Sequence, residues 1–311
     1  MLKFATNQDK YKILILGDIQ AHGIIKEPEQ NMLGELVKRT QPDLVVFLGD
    51  MISGVGGYGW RKLRKMIYAM LNATVGTTIP FAIVSGNHES FTTLPYSRQI
   101  EIYRQYPNCL TPSRCDRACR KAYTLDLTSD DKKPLVRLLF FDCAGSKATS
   151  IGQVYKKTKP ATLKYTQKLL FDPNCPPTVI FQHIIIPDVQ RLLKTYDKDS
   201  KLGVRGSGPF RGFRVALAHP ETGFLGECPS PAWDNALQFT DWTKSKKVVA
   251  AVFAHDHVNS FEDELDGVKI IQCPCAGLSC YGSGNTRGAR VVTITRSGKV
   301  SSIPYYYNDF K

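Results

Sequence analysis

The sequence predicts an α/β fold in which two packed sheets carry helices on their outer sides. Short apolar runs rich in Val and Leu, such as Leu44–Leu48, recur along the chain between helix-like segments. Such runs are typical of strands that are buried on both faces. They occur throughout the 311 residues, and no low-complexity linker separates them. We therefore predict a single domain over residues 1–311.

The first part of the chain alternates predicted strands with predicted helices. Strands are predicted at 12–17, 44–48 and 81–84, and helices at 26–39, 60–71 and 96–106. The glycine-rich loop 53–59 follows the second strand, but it lacks the Lys-Ser/Thr ending of a phosphate-cradling P-loop. We expect this loop to border a site.

The second part of the chain is richer in predicted strands. Strands are predicted at 122–127, 135–142, 178–182 and 247–254, and a helix at 162–171. Segment 197–234 has many Gly and Pro residues and no clear period, which predicts a long loop that is functional or mobile. We expect this loop, like 53–59, to border the site. The tail 268–307 alternates in hydropathy as an antiparallel meander does.

Polar residues follow five of the predicted strands at the point where each strand ends. They are Asp18, Asp50, Asn87-His88, His183 and His255-Asp256-His257. The first three groups lie at intervals of about 35 residues, which suits strand–helix–strand units with parallel neighbouring strands. Parallel strands bring their carboxyl ends to one edge of the sheet, where ligands bind. In an extended segment, His255 and His257 would face the same side and Asp256 the other.

Carboxylates combined with neutral imidazoles suit a metal such as Zn, Mn or Fe. Two such ions about 3.5–4 Å apart need a bridging anion, and the carboxylate of Asp50 is suited to that position. Taken singly, Asp18 or Asp50 would cap a helix and His183 would be an ordinary core histidine. Their common position after strands favours a metal site.

The chain is basic, with 41 Lys and Arg, 28 Asp and Glu, and a formal net charge of +13. Such a balance suits anionic partners, although basic residues can also simply cover a solvated surface. No apolar run approaches the ~20 residues of a membrane-spanning helix. The polar N-terminus shows no signal peptide, which favours the cytoplasm. The sequon at Asn72 leaves a secreted or lysosomal location open for a trimmed chain.

Six of the nine cysteines fall into two groups. They are Cys109, Cys115 and Cys119, and then Cys273, Cys275 and Cys280. Zinc sites use regularly paired cysteines with suitable partners. The irregular spacing here favours free thiols or local disulfides over zinc.

The ordered motifs resemble those of the calcineurin-like metallophosphoesterase superfamily. They are Gly17-Asp18, Gly49-Asp50, Gly86-Asn87-His88-Glu89, His183 and His255-Asp256-His257. Together with Arg287-Gly288-Ala289-Arg290, they also resemble a compact purple-acid-phosphatase-like branch. The resemblance covers residues 12–295. It implies a four-layer α-β-β-α sandwich of two mixed sheets, with a dimetal site above the strand ends.

The resemblance also implies a role for each motif residue. Asp18, Asp50 and His257 would bind one metal, and Asp50, Asn87, His183 and His255 would bind the other. His88 would contact the phosphoryl group, beside Asn87, or protonate the leaving oxygen. A metal-bound hydroxide would attack phosphorus in line, with two divalent or mixed-valence ions of Mn, Zn or Fe as the cofactors. We expect Tyr58 in the glycine-rich loop to contact the substrate.

Three positions depart from the family pattern. Gln20 replaces a histidine, so either this amide or His22 would complete the first metal site. Ser53 replaces the tyrosine of true purple acid phosphatases, which predicts a colourless enzyme. Ala254 replaces the glycine before the final histidine pair, a change that the backbone should tolerate.

These residues predict a phosphatase for a phosphorylated small molecule or a phosphoprotein. One alternative is a phosphodiesterase acting on nucleotides or nucleic acid, and another is a catalytically weak metal-binding scaffold. The sequence has neither the Cys-x₅-Arg motif of cysteine phosphatases nor the Gly-x-Ser-x-Gly motif of serine hydrolases.

Overall fold

The computed structural model describes residues 2–5, 8–114, 116, 118–119, 121–142, 145–149, 152–232 and 236–310. Its strands, in chain order, are β1 (Leu2–Lys3), β2 (Lys10–Leu16), β3 (Leu44–Leu48), β4 (Phe81–Val84), β5 (Ala122–Thr128), β6 (Pro134–Phe141), β7 (Ser146–Thr149), β8 (Gly152–Tyr155), β9 (Thr178–Gln182), β10 (Leu193–Asp197), β11 (Val204–Arg205), β12 (Phe213–Leu217), β13 (Gly223–Phe224), β14 (Val248–Phe253), β15 (Ser260–Leu265), β16 (Val268–Gln272), β17 (Gly288–Thr295) and β18 (Val300–Tyr306). Its helices are α1 (Glu27–Thr40), α2 (Trp60–Thr74), α3 (Tyr96–Tyr103), α4 (Pro160–Leu170) and α5 (Ala236–Ser245).

One mixed sheet has the strand order β18-β17-β2-β3-β4. Strands β2, β3 and β4 are parallel neighbours, and β17 runs antiparallel to both β2 and β18. Helices α1 and α2 provide the crossovers that parallel pairing requires. The carboxyl ends of three successive strands therefore meet at one edge, as the spacing of Asp18, Asp50 and Asn87 predicted.

The other mixed sheet has the order β1-β5-β6-β9-β14-β16-β15-β13. Its central strands β6, β9, β14 and β16 are parallel, and antiparallel pairs flank them. The loops that carry His183 and His255 follow the adjacent strands β9 and β14. These loops therefore also leave one edge of their sheet together.

Apolar side chains form three layers of core. In β2, Ile13 and Ile15 lie between the two sheets, whereas Leu14 and Leu16 pack with helices α1 and α2. Successive strand residues point to opposite faces, so a strand covered on both sides is apolar at every position. A third cluster joins the outer face of the larger sheet to Trp242 of α5 and to the end of α4. The predicted four-layer sandwich is confirmed.

Two predictions about segments differ from the structure. The segment expected as a long loop, 197–234, contributes to a small antiparallel sheet with the order β10-β12-β11. The tail 268–307 is not one meander, because β16 belongs to the eight-stranded sheet and β17 and β18 belong to the five-stranded sheet. Local alternation predicts strands but does not reveal which sheet each of them joins.

Among the residues that the structure describes, none of the helices has both the length and the apolar character needed to cross a membrane.

Candidate metal centre

Asp18 and Asp50 lie just beyond the ends of β2 and β3 in an unusual backbone conformation. Their φ angles are 54° and 56°, in the left-handed region that non-glycine residues seldom adopt. Gly49, before Asp50, has a φ of 86°, and a Cβ atom there would lie 2.5 Å from Nδ1 of His183. Backbone strain of this kind concentrates at functional sites. Gly49 is therefore needed for two reasons: its φ is positive, and a side chain at this position would collide with His183.

The buried carboxylates of Asp18 and Asp50 face histidines that are remote along the chain. Nε2 of His183 lies 3.2 Å from Oδ2 of Asp50 and 3.8 Å from Oδ1 of Asp18. Nε2 of His257 lies 3.4 Å from the same Asp18 oxygen. The ligand atoms of Asp50, His183 and His255 all lie within 4.8 Å of one another. Loops from both sheets thus bring their oxygen and nitrogen donors to one place.

Several of these buried atoms have no hydrogen-bond partner. They are Oδ1 of Asp18, Oδ1 of Asn87 and Nδ1 of His255. Burial of an unpaired polar atom is costly, and such atoms are rare in folded proteins. A set of carboxylate, amide and imidazole donors facing one another fits hard or borderline divalent cations. The residues present therefore fit a metal centre.

Backbone carbonyl groups fix the orientation of three histidine rings. Nδ1–H of His183 donates to the carbonyl oxygen of Leu48 at 2.8 Å, and that of His257 donates to Tyr281 at 2.9 Å. Nδ1–H of His88 donates to the carbonyl oxygen of Ser53 at 2.6 Å. Each bond leaves Nε2 directed toward the carboxylates, the orientation that such outer hydrogen bonds give to metal-binding histidines.

The segment His255-Asp256-His257 is not extended, because His255 has a φ of 77°. His255 and His257 nevertheless both face the carboxylates, and the backbone N–H of His255 donates to Oδ2 of Asp18 at 2.9 Å. Asp256 points elsewhere and accepts a hydrogen bond from the backbone N–H of Ser230. His255 and His257 therefore face one side and Asp256 the other, as predicted. A left-handed turn produces this arrangement, whereas the prediction assumed the alternation of an extended strand.

Gln20 lies inside the cluster, whereas Tyr58 and His22 pair with each other. Nε2 of Gln20 is 3.2 Å from Nε2 of His257 and 3.4 Å from Oδ2 of Asp50. The hydroxyl of buried Tyr58 lies 2.9 Å from Nδ1 of His22. Of the two residues proposed to complete the first metal site, the structure places Gln20 against the other donors.

The environment shifts the pKa values of the clustered groups in opposite directions. Burial opposes the charge of Asp50, but His183 and His88 hold its pKa well below the usual range. Burial lowers the pKa of His183, but Asp50 and Asp18 outweigh that effect and raise it to about 9. Burial and the neighbouring His183 lower the pKa of His255 to about 3. Neutral His255 is thus ready to donate a lone pair.

Glu89 is a supporting residue whose role the sequence did not reveal, although it stands in the Gly-Asn-His-Glu motif. Its carboxylate accepts hydrogen bonds from the backbone N–H groups of Gly86, Asp50 and Met51 at 2.7, 3.0 and 2.7 Å. Burial and the nearby Asp50 raise its pKa to about 7. Glu89 therefore ties the loop after β4 to the loop after β3.

Tyr281 is a second supporting residue, and no motif pointed to it. Its ring stacks on His257 with 4.0 Å between ring centroids and an interplanar angle of 12°. Its hydroxyl donates to Glu227, which stands in the long segment expected to border the site. Tyr281 thus fixes His257 through both its ring and its carbonyl group.

The change at Ala254 fits the structure, because this residue does not have a positive φ and its methyl group packs in the core between the two sheets. In the two predicted cysteine groups, Cys119, Cys273, Cys275 and Cys280 are free thiols. Cys115 lies outside the described residues, so its state stays a prediction.

Comparison with known proteins decides the family. The model of the calcineurin-like phosphoesterase family matches residues 11–259. The chain belongs to this family. All of the strand-end donors lie inside the matched region. The predicted membership among calcineurin-like metallophosphoesterases is confirmed.

Individual proteins agree with this assignment. The chain is 24% identical to a protein of Arabidopsis thaliana named "Probable inactive purple acid phosphatase 29", over 96% of this chain and 80% of that protein. It shares its fold with a dimetal phosphatase from Danio rerio, with a TM-score of 0.55, 13% identity, and coverage of 96% and 99% of the two chains. GAP50, described as the anchor in the inner membrane complex of Plasmodium, also has a TM-score of 0.55, at 11% identity and 98% and 87% coverage. These similarities show the family and the fold, and they leave the bound metals and the activity of this chain open.

Proposed function

We propose that this protein is a phosphatase that hydrolyses phosphomonoesters with the aid of two divalent cations. The observation that supports this function best is the convergence of buried, unpaired oxygen and nitrogen donors from five loops of the two sheets. The family membership gives the reaction class.

The donors divide into two sets around Asp50. Asp18 and His257, which are 3.4 Å apart, would hold one cation with Asp50. Asn87, His183 and His255 would hold the other, again with Asp50. Gln20 would join the first set through its amide oxygen after a half-turn of its terminal amide.

When bound, the two cations supply Lewis acidity that activates the attacking water and neutralises the phosphoryl oxygens. His88 is the residue of this chain best placed to act on the substrate. Its Nε2 lies 3.8 Å from Oδ2 of Asp50, and its side chain is 22% exposed. With Nδ1 held by Ser53, only Nε2 can contact a phosphoryl oxygen or pass a proton to the leaving oxygen.

The basic character of the chain supports an anionic substrate, either a phosphorylated small molecule or a phosphoprotein. The cation-binding residues are common to monoesterases and diesterases, so a nucleotide or nucleic-acid diester is the alternative substrate.

The test is turnover of p-nitrophenyl phosphate and of its bis-ester by protein loaded with Mn²⁺, Zn²⁺ or Fe²⁺. We expect monoester hydrolysis to dominate, and Asp50→Asn to lower it by at least about a thousandfold, because the bridging anion contributes to both cation sites. Asp263→Asn is the matched control, since the Asp263 side chain is only 8% exposed and pairs with the exposed His219 instead of with these donors. Elemental analysis should show that Asp50→Asn loses both metals. An active, metal-replete Asp50→Asn protein would refute the bridging role.

A second candidate function is a metal-binding scaffold without turnover. It is favoured by Gln20, an amide where the family pattern has an imidazole, and by the word "inactive" in the name of the Arabidopsis relative. GAP50, with the same fold, is described as an anchor. Folded, metal-loaded protein that hydrolyses neither ester would favour this function over the first.

A further inference from the structure

Two thiols lie beside His257, outside the donor set described above. The sulfur atoms of Cys275 and Cys280 and a ring nitrogen of His257 all lie within 4.8 Å of one another. Both cysteines are free, Cys275 being fully buried and Cys280 partly exposed. The segment between them is short and contains Gly277 and Ser279. The chain therefore presents two adjacent thiols, and a reagent in solvent can reach the pair through Cys280.

A single guanidinium group holds this pair. Nη1 of Arg287 lies 3.4 Å from the sulfur of Cys275 and 3.6 Å from that of Cys280. The same side chain donates to the carbonyl oxygens of Gly277 and Cys280. A fixed cation next to two sulfur atoms favours negative charge on sulfur, which makes a thiol nucleophilic. It also repels a divalent cation, which argues against a metal held by these two sulfurs.

We propose that Cys275 and Cys280 form a reversible disulfide by exchange with a small-molecule disulfide of the glutathione type. The Cys280 thiolate attacks one sulfur of that reagent, which breaks its S–S bond and releases one thiolate. The Cys275 thiol then loses its proton to solvent and attacks the Cys280 sulfur of the mixed disulfide, which releases the second thiolate. Two protein thiols are oxidised and one small disulfide is reduced to two thiols.

The disulfide would act on His257 through the residue that follows Cys280. Tyr281 accepts the Nδ1–H of His257 and stacks on its ring. Drawing Cys280 toward Cys275 displaces this peptide and with it the imidazole. This consequence rests on the proposed function, because it matters only if His257 binds a cation. Formation of the disulfide does not depend on that role.

The test uses reduced, chelator-treated full-length protein equilibrated with a series of ratios of reduced to oxidised glutathione. Free thiols are then alkylated, and the digested protein is mapped by mass spectrometry. We expect a peptide linked through Cys275 and Cys280 that disappears on reduction. Cys280→Ser should abolish the link, and Cys275→Ser should leave glutathione attached to Cys280. Cys175→Ser, at a buried thiol beside Thr178, is the control that should keep the link.

The peptide map of the wild-type protein tests the proposed disulfide even if Cys275→Ser fails to fold. Full alkylation of both residues at every ratio would overturn the proposal, as would linkage to other cysteines. Co²⁺ added to the reduced protein provides a further check. A sulfur-to-cobalt charge-transfer band that requires Cys280 would assign the two thiols to a metal site and would also overturn the proposal. In a separate arm, calorimetry should show the first cation bound roughly tenfold more weakly by the oxidised protein. Equal affinities would overturn the coupling to His257, and a lack of phosphatase activity would affect neither result.

Discussion

At the scale of single residues, Gln20 would limit how firmly the proposed first cation is held. Its amide lies among the donors, 3.2 Å from Nε2 of His257, as the proposed ligand role requires. A neutral amide oxygen is a weaker partner for Zn²⁺ or Fe²⁺ than an imidazole nitrogen. The two proposed cation sites should therefore differ in affinity.

We expect Gln20→His to tighten binding of the weaker cation about tenfold, which is about 1.4 kcal/mol. An imidazole at this place adds a nitrogen ligand without changing any other donor. Titration calorimetry with Zn²⁺ measures the gain, and Gln190→His at an exposed position is the control. If the affinity does not rise, the side chain of Gln20 is not directed at a cation.

Gly86 is the residue where an added methyl group would damage the site most directly. A Cβ atom there would overlap the Asp50 carboxylate and lie 2.5 Å from its backbone nitrogen. We expect Gly86→Ala to lower stability by about 1–3 kcal/mol through overpacking. Displacement of Asp50 should weaken metal binding at least roughly tenfold. Urea unfolding and metal titration measure the two effects.

Gly284→Ala is the matched control, because no atom lies within 4 Å of the added Cβ. Normal metal binding by Gly86→Ala would show that the Asp50 carboxylate is free to move, which would contradict the tight packing described above.

At the scale of elements, the site depends on strands that deliver polar residues at their carboxyl ends. Strands β2, β3 and β4 supply Asp18, Asp50 and Asn87, and β9 and β14 of the other sheet supply His183 and His255. Each strand is anchored by apolar packing on both faces, so the loops begin from fixed points. The donors are therefore positioned by the core between the two sheets as much as by their own loops.

The aromatic stack in that core should be a main source of stability. Phe181 of β9 stacks on Phe140 with 5.0 Å between centroids, and Phe140 stacks on Tyr123 at 4.7 Å. We expect Phe181→Ala to lower the free energy of unfolding by about 3–5 kcal/mol, since the cavity forms between two sheets that cannot collapse. Urea unfolding measures it. Phe171→Ala, at a side chain 48% exposed, should change stability by less than about 0.5 kcal/mol. Equal effects of the two changes would contradict this account.

At the scale of the whole molecule, the fold holds like and unlike charges close together where the two sheets meet. In the protein without metal, the proton on His183 stabilises the adjacent Asp50 and Asp18 carboxylates. Binding of the proposed cation by His183 must displace that proton. Stability and metal affinity should consequently respond to pH in opposite directions.

The sign of the effect follows from the shift of the His183 pKa from 6.5 to about 9. Its contribution to stability is complete below pH 6.5 and is lost as the pH rises through 9. We expect deprotonation of His183 between pH 6.5 and 9 to lower the free energy of unfolding of the metal-free protein. Over the same pH range, metal affinity should rise. Chemical unfolding with a chelator present measures the first quantity, and calorimetry measures the second.

In this experiment, His183→Gln should remove that part of the pH dependence. His219→Gln, at an exposed histidine on the surface, should leave it in place. A metal-free stability that does not change between pH 6.5 and 9 in either the wild-type protein or the variants would contradict a charged His183.

The sequence by itself determined the fold class, the parallel order of β2, β3 and β4, and the strand-end motifs. These depend on apolar periodicity and short spacings, which are local properties of the chain. The sequence did not show that β16 and β17 belong to different sheets, that a small sheet occupies the expected loop, or that Tyr281 fixes His257. Tertiary structure decided these features, because each depends on contacts between segments far apart in the chain, and local pattern carries no record of such contacts.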